Sequence, residues 1–399
     1  TYLLTYLLTY LLTYLLTCLL ALGTLQAVVL VANYLSSFAV GLAVGGVIPL
    51  FSLILEKRGV SETMIGANTA IGSLGIICIA PFVPWIVQRL GLARSVILGI
   101  VMSTVALAAT AVTDSLVAWF ILRPLYAGGL GIHWVVSETW MNLVASKRDR
   151  GRIMAIYVTS IAAGMAAGPA ILGLTGTEDL VPFVVFGIAT LASALPLAAV
   201  ARYAPKPRIS LHGTPMILIR NAPTIFAAVV TVGLYGGACF VFLPIYGLRS
   251  GLAETDAVFL LTAFLAGNLL FQIPIGLLAD WLNHRAMLLA CGGVAVLAPF
   301  AVASLLGGGI PLVVFMAIWG GAIFAFYTVG ITMLGERFQA SELAAANAAF
   351  VMTFEIANAI GPPAAGLALG LWEPHGMMVF LVCVAAAFLL VTNLRGVRS

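Results

Sequence analysis

Residues 223–248 read PTIFAAVVTVGLYGGACFVFLPIYGL, twenty-six residues without one charged side chain. As a helix, at about 1.5 Å per residue, the stretch exceeds the roughly 30 Å hydrocarbon core of a bilayer. A barrel strand would be about half as long and would alternate polar with apolar residues, a pattern absent here. The stretch therefore reads as a transmembrane helix.

Working outward, charged or Gly/Pro-marked breaks divide the chain after residue 25 into twelve such stretches. They lie near 27–54, 64–87, 95–113, 116–144, 153–176, 181–201, 223–248, 257–280, 286–306, 311–334, 343–370 and 376–394. The composition agrees, with 8% charged and 62% apolar residues in 399. Soluble domains carry about 25% charge, so this chain cannot cover a water-facing surface. Disorder is excluded by the hydrophobicity, and nucleic-acid binding by the want of a basic patch. The expected class is an all-α polytopic membrane protein in contact with the lipid bilayer, with no soluble domain left over.

Lysine and arginine in the short loops set the orientation. Alternate assignment gives one side Arg89, Arg94, Lys147, Arg148, Arg150, Arg152, Arg202, Lys206, Arg208, Arg220, Arg285, Arg337, Arg395 and Arg398. The other side receives Lys57, Arg58 and Arg249, and eight of the fourteen acidic residues. The bias places the first side and the C-terminus in the cytoplasm, with the chain multi-pass in the cell (inner or plasma) membrane. One positive charge, Arg123, stays inside a span. The five cysteines are scattered singly, so they read as small core residues and not as a disulfide or metal set. Residues 1–24, built on four copies of Thr-Tyr-Leu-Leu, read as a low-complexity extension with no assigned function; a thirteenth helix is the alternative.

Landmarks recur at nearly constant separation. Pro49-Leu50-Phe51 answers Pro244-Ile245-Tyr246, Gln88-Arg89 answers Asp280-Trp281, Tyr126-Ala127-Gly128-Gly129 answers Ile318-Trp319-Gly320-Gly321, and Gly168-Pro169 answers Gly361-Pro362. The offsets stay between 192 and 195. The chain is thus expected to hold two parallel six-helix pseudo-repeats: an N-terminal bundle at 25–202, a linker at 203–221 and a C-terminal bundle at 222–399. Parallel six-span repeats belong to transporter architecture, with substrate bound between the halves near the midplane. Away from their ends, spans 3, 6, 9 and 12 lack Asn, Gln, His, Tyr, Trp and charge. Polar groups cost too much to face lipid, so these four read as supports and the other eight as the walls of a pathway.

At this point the chain resembles a major facilitator superfamily transporter. Gly276-Leu277-Leu278-Ala279-Asp280-Trp281-Leu282-Asn283-His284-Arg285 is similar to that superfamily's loop signature; its N-terminal counterpart keeps Arg89, Gly91 and Arg94 but has Gln88 in place of the acid. Arg123 with Gly128, Gly129 and Gly131 is similar to the fourth-helix motif. Gly164 to Gly173, with Gly168 and Pro169, resembles the fifth-helix motif of proton-driven drug and metabolite antiporters. Glu138-Thr139-Trp140-Met141-Asn142, with Arg150-Gly151-Arg152 and Tyr157, looks like the YcaD-type branch. The resemblance implies a latch of Asp280 with Arg285, in doubt on the N-terminal side at Gln88. An ordinary loop salt bridge is the alternative for the latch, and simple packing for a hinge at Gly168 and Pro169. It also implies a monomer driven by the proton gradient, with no cofactor.

Three ionisable residues lie inside spans, Arg123, Glu138 and Glu355, and each is a functional candidate because an unpaired charge there is costly. Glu355 falls near the midplane, where a carboxyl can carry and release a proton or serve as a fixed partner for a cation. Arg123 does not deprotonate. It can repel a proton site, hold an anionic substrate or pair with Glu355. Glu138, near the cytoplasmic end of span 4, reads as a gating partner of Arg150 or Arg152. Asn33, Tyr34, Tyr126, His133, Tyr235, Asn268, Gln272, Trp319, Tyr327 and Asn358 complete the expected cavity lining, with His133 able to titrate or to act as an interhelical donor.

The spans hold no Ser-His-Asp set, His-Glu-x-x-His or nucleotide-binding loop, so an enzyme is not expected. The leading expectation is proton-coupled efflux of a small organic molecule. Proton symport or uniport of a sugar, organic acid or other metabolite is the alternative, and a transport-dead receptor the outside one.

Overall fold

The computed structural model describes residues 24–145, 150–205, 218, 221–281, 283–338 and 340–396. The Thr-Tyr-Leu-Leu repeat and most of the expected linker lie outside these residues.

Twelve long helices follow one another: α1 Thr24–Lys57, α2 Glu62–Leu90, α3 Leu92–Ala111, α4 Leu116–Val144, α5 Arg150–Thr175, α6 Val181–Ala199, α7 Pro223–Arg249, α8 Glu254–Trp281, α9 His284–Leu305, α10 Ile310–Arg337, α11 Ala340–Leu371 and α12 Gly376–Gly396. A tight turn at Ala80–Phe82 interrupts α2, and α6 breaks at Ser193. Every end falls within three residues of the expected span. Eleven of the helices are long and apolar enough, on their described residues, to cross a membrane. The protein is a multi-pass membrane protein.

The helices associate as two groups of six. In the first, α1 packs on α5, α2 on α4 and α3 on α4; in the second, α7 packs on α11, α8 on α10 and α9 on α10. The same glycines make these approaches in both halves. A side chain at Gly45 would strike the Met165 carbonyl, and one at Gly237, 192 residues later, would strike that of Asn358. Gly168 lies against the Leu42 carbonyl and Gly361 against that of Leu234. Small residues let membrane helices touch backbone to backbone, which replaces the hydrophobic drive that lipid cannot supply.

The halves meet along α2–α11 and α5–α8, with α1–α7 and α2–α7 between them. Helices α3, α6, α9 and α12 make their substantial contacts within their own half. That matches their lack of polar residues. The expectation of small core cysteines holds for Cys239, whereas Cys78 and Cys383 are exposed on apolar spans. A thiol is apolar enough to sit there.

One end of the bundle carries both described termini and the arginine-rich loops; the other is called here the far face. There α1 and α7 end alike. Gly59 and Gly251 take φ values of +70° and +91°, and Val60 and Leu252 amides bond back to the Leu55 and Gly247 carbonyls. This is a left-handed glycine stop, and it turns the chain directly into α2 and α8.

Candidate functional site

Those two turns place charges of opposite sign side by side. Lys57 and Arg249 are the last residues of α1 and α7, and Glu62 and Glu254 the first of α2 and α8. A cation at a helix C-terminus and an acid at an N-terminus each suit the helix dipole. The pairs then cross between halves. Arg249 Nη2 lies 2.6 Å from Glu62 Oε1 and its Nε 2.7 Å from Glu56 Oε1, while Lys57 Nζ lies 2.6 Å from Glu254 Oε2. Each cation also takes an acid of its own half: Arg249 reaches Glu373 at 2.9 Å, and Lys57 reaches Glu178 at 3.7 Å. Thr177 donates to Glu254 as well, and Thr255 donates to the Gly173 carbonyl. Among the described residues, every hydrogen bond and ion pair between the halves lies at this far face. The arrangement is a latch with the two-fold symmetry of the repeat, since 57 and 249, and 62 and 254, are each 192 apart. It was missed in the sequence, where these residues counted only as loop charges; the repeat offset was the signal that could have found it.

Deeper in, Glu355 occupies the middle of α11, fifteen residues from Ala340 and sixteen from Leu371. Its Oε2 is enclosed with no hydrogen-bond partner among the described residues. Tyr327, on α10, lies in electrostatic reach of Glu355 and also of Glu138 on α4. Glu138 in turn acts on Tyr157 of α5. One tyrosine thus feels the charge of both membrane carboxylates, one from each half. Tyr327 packs edge-on against Phe350 and Phe354, at 5.0 and 5.6 Å between ring centres.

Arg123 is elsewhere, in the outer third of α4 toward the far face. It is 3% exposed and makes no ion pair with Glu355 or any other described acid. Its guanidinium carbon stands 4.7 Å from the Phe51 ring centre. A desolvated cation–π contact contributes about 2 kcal/mol, less than the several kcal/mol that burying the charge costs.

The remaining expected lining divides. His133 is buried between α1 and α4, its Nε2 2.9 Å from Ser36 Oγ and 3.4 Å from Ser137 Oγ. Tyr34 is buried and donates to the Ile153 carbonyl, and Asn33 Nδ2 donates to that of Val29. Asn358 lies beside Gly237 of α7, one turn from Glu355. Asn268 and Gln272 sit half-buried on α8, with Gln272 Oε1 enclosed and unpartnered. Tyr126 packs beside Phe51. Two placements depart from the expected lining. Tyr235 faces away from the cavity, its hydroxyl 2.8 and 2.9 Å from the Ala295 and Leu381 carbonyls of the support helices α9 and α12. Trp319 is enclosed by Tyr235 and Phe264. An aromatic ring with a polar tip serves helix packing as readily as a cavity, and composition does not separate the two.

Of the expected gating residues, Arg89 stacks on Trp85 of its own helix at 5.2 Å. Arg285 donates to the Thr392 carbonyl on α12. The side chains of Asp280, Arg150 and Arg152 lie outside the described residues. Gly168 and Pro169 sit where α5 crosses α1.

Comparison with known proteins agrees with this architecture. The Major Facilitator Superfamily model matches residues 33–326 and 226–397. The chain is similar to an uncharacterized MFS-type transporter, YfkF, of Bacillus subtilis strain 168, at 26% identity over 361 residues, covering 86% of this chain and 88% of the relative. It is 23% identical over 359 residues to the uncharacterized MFS-type transporter YcaD of Shigella flexneri serotype 5b, covering 88% and 91%. Among solved structures, the nucleoside transporter NupG superimposes with a TM-score of 0.74 at 13% identity, over 93% of this chain and 98% of that one. A bacterial homolog of the human lysosomal transporter Spinster, in an inward-facing and unoccupied conformation, gives 0.74 at 13% identity, over 93% and 96%.

Proposed function

Because the chain belongs to the major facilitator superfamily, a family of secondary membrane transporters, we propose that it exports a small organic molecule by alternating access in exchange for protons. The arginine-rich face is the cytoplasmic one, by the distribution of loop charge. The observation that carries the reading is the pair of crossed ion pairs, Arg249–Glu62 and Lys57–Glu254, which, among the described residues, tie the halves at the far face. A latch at one face suits a protein that opens its two faces in turn.

Glu355 is the proton carrier in this scheme. It stands at mid-helix with an oxygen that has no partner among the described residues, and Glu138 acts electrostatically on the same Tyr327 from the opposite half. Rocking of one half against the other changes the distance between the two acids. Proximity favours sharing a proton, and separation favours releasing one, which links proton occupancy to conformation. The substrate occupies the space between the halves and competes with that proton. The test is substrate-driven proton movement in sealed proteoliposomes loaded with a pH dye, with wild type beside Glu355→Gln. Proton and substrate moving in opposite directions support efflux; movement in the same direction replaces it with symport.

A further inference from the structure

We propose that the wedge between α1, α2 and α4 around Arg123 is a binding site for a monovalent anion, either a halide or a carboxylate group. Arg123 is 3% exposed, and its Nη1 is enclosed with no hydrogen-bond partner among the described residues. Asn68, 1% exposed, has an amide nitrogen in the same condition.

These groups belong together. Arginine lies along α2 at Gly72, where an added Cβ would come 3.1 Å from its Nε and 3.3 Å from its Cγ. Asn68 is four residues before Gly72, one turn away on the same helix face. Two enclosed donor groups, one permanently charged, thus lie on facing stretches of α2 and α4, where Gly72 leaves the room that the guanidinium takes. A guanidinium keeps its charge when buried, and the Phe51 ring face offsets only part of that cost. No described carboxylate answers it: Glu62, the acid at the head of α2, is committed to Arg249. A small anion can accept from arginine and amide at once.

The proposal does not depend on proton coupling, since anion binding is an equilibrium property. Thermal unfolding of the purified full chain would be followed at constant ionic strength while methanesulfonate is replaced by chloride, acetate or benzoate. A saturable rise in Tm is expected, because a ligand that binds only the folded state stabilises it by mass action. The rise should vanish in Arg123→Gln and need about tenfold more anion in Asn68→Leu, which keeps the charge but loses one donor. Gly72→Ala, which crowds the guanidinium, should also weaken it, and this variant serves if Arg123→Gln does not fold. A response to chloride assigns the site to a resident ion. A response to the carboxylates alone assigns it to an acidic substrate group. Absence of any anion dependence in wild type, or an unchanged response in all three variants, overturns the proposal.

Discussion

Arg249, the last residue of α7, holds Glu62, the first residue of α2, at 2.6 Å across the boundary between the halves. Its counterpart by the repeat, Lys57 with Glu254, makes the same crossing in the reverse sense. The two are unequal. Arg249 and Glu62 are 20% and 16% exposed and the arginine serves three acids, whereas Lys57 and Glu254 are 36% and 28% exposed. Solvent screening weakens the second pair more.

Arg249→Glu should therefore open the far face more readily than Lys57→Glu. The expected change is on the order of 1–3 kcal/mol in the conformational equilibrium, roughly five- to 150-fold in population. Distances between spin labels at positions 114 and 308, on far-face loops of opposite halves, would report it. Adding Glu62→Arg to Arg249→Glu should recover part of the short-distance population. Label distances unchanged by Arg249→Glu would remove the latch from the account.

Tyr235→Phe tests the division between packing and cavity. The hydroxyl sits between two buried carbonyls on α9 and α12. Its loss should lower stability by about 1 kcal/mol, read as a drop in the midpoint of thermal unfolding. Substrate affinity should stay the same, because the group faces the support helices. A weakened affinity with unaltered stability would return Tyr235 to the cavity wall.

The repeat predicts matched sensitivity. Gly45→Val and Gly237→Val each drive a side chain into the backbone of the helix packed opposite, at Met165 and at Asn358. Overpacking of a close contact costs about 1–3 kcal/mol and more where backbone must move. Both should cut the yield of folded, monodisperse protein, whereas Gly187→Val, at a glycine with nothing near it, should not. Loss at one of the paired glycines alone would contradict equivalent packing of the halves.

Much of this architecture was legible from the residues. Charge-free runs longer than a bilayer is thick fix each helix almost by themselves, and the loops that end them carry the glycines and charges that water requires. The Gly-Gly and Gly-Pro landmarks carried the repeat because close helix approach admits few other residues. The site was less legible. Glu355 and Glu138 stood out as costly charges in lipid, and both act electrostatically on Tyr327. Tyr235 and Trp319 carried the same polar label as Tyr327, yet they point into the packing of their own half. A helix face is set by neighbours that the local sequence does not name. Asn68 passed unnoticed for the same reason: one amide in an apolar run gains meaning only when Arg123 is seen beside Gly72.

The central claim is that Glu355 exchanges a proton for substrate. The most direct measurement is proton flux in sealed proteoliposomes holding a pH dye, challenged with cationic, neutral and anionic organic compounds, with wild type run beside Glu355→Gln. The account predicts substrate-triggered flux in wild type, opposite in direction to substrate movement, and its loss in the variant while substrate still binds. Equal flux in both proteins would contradict it.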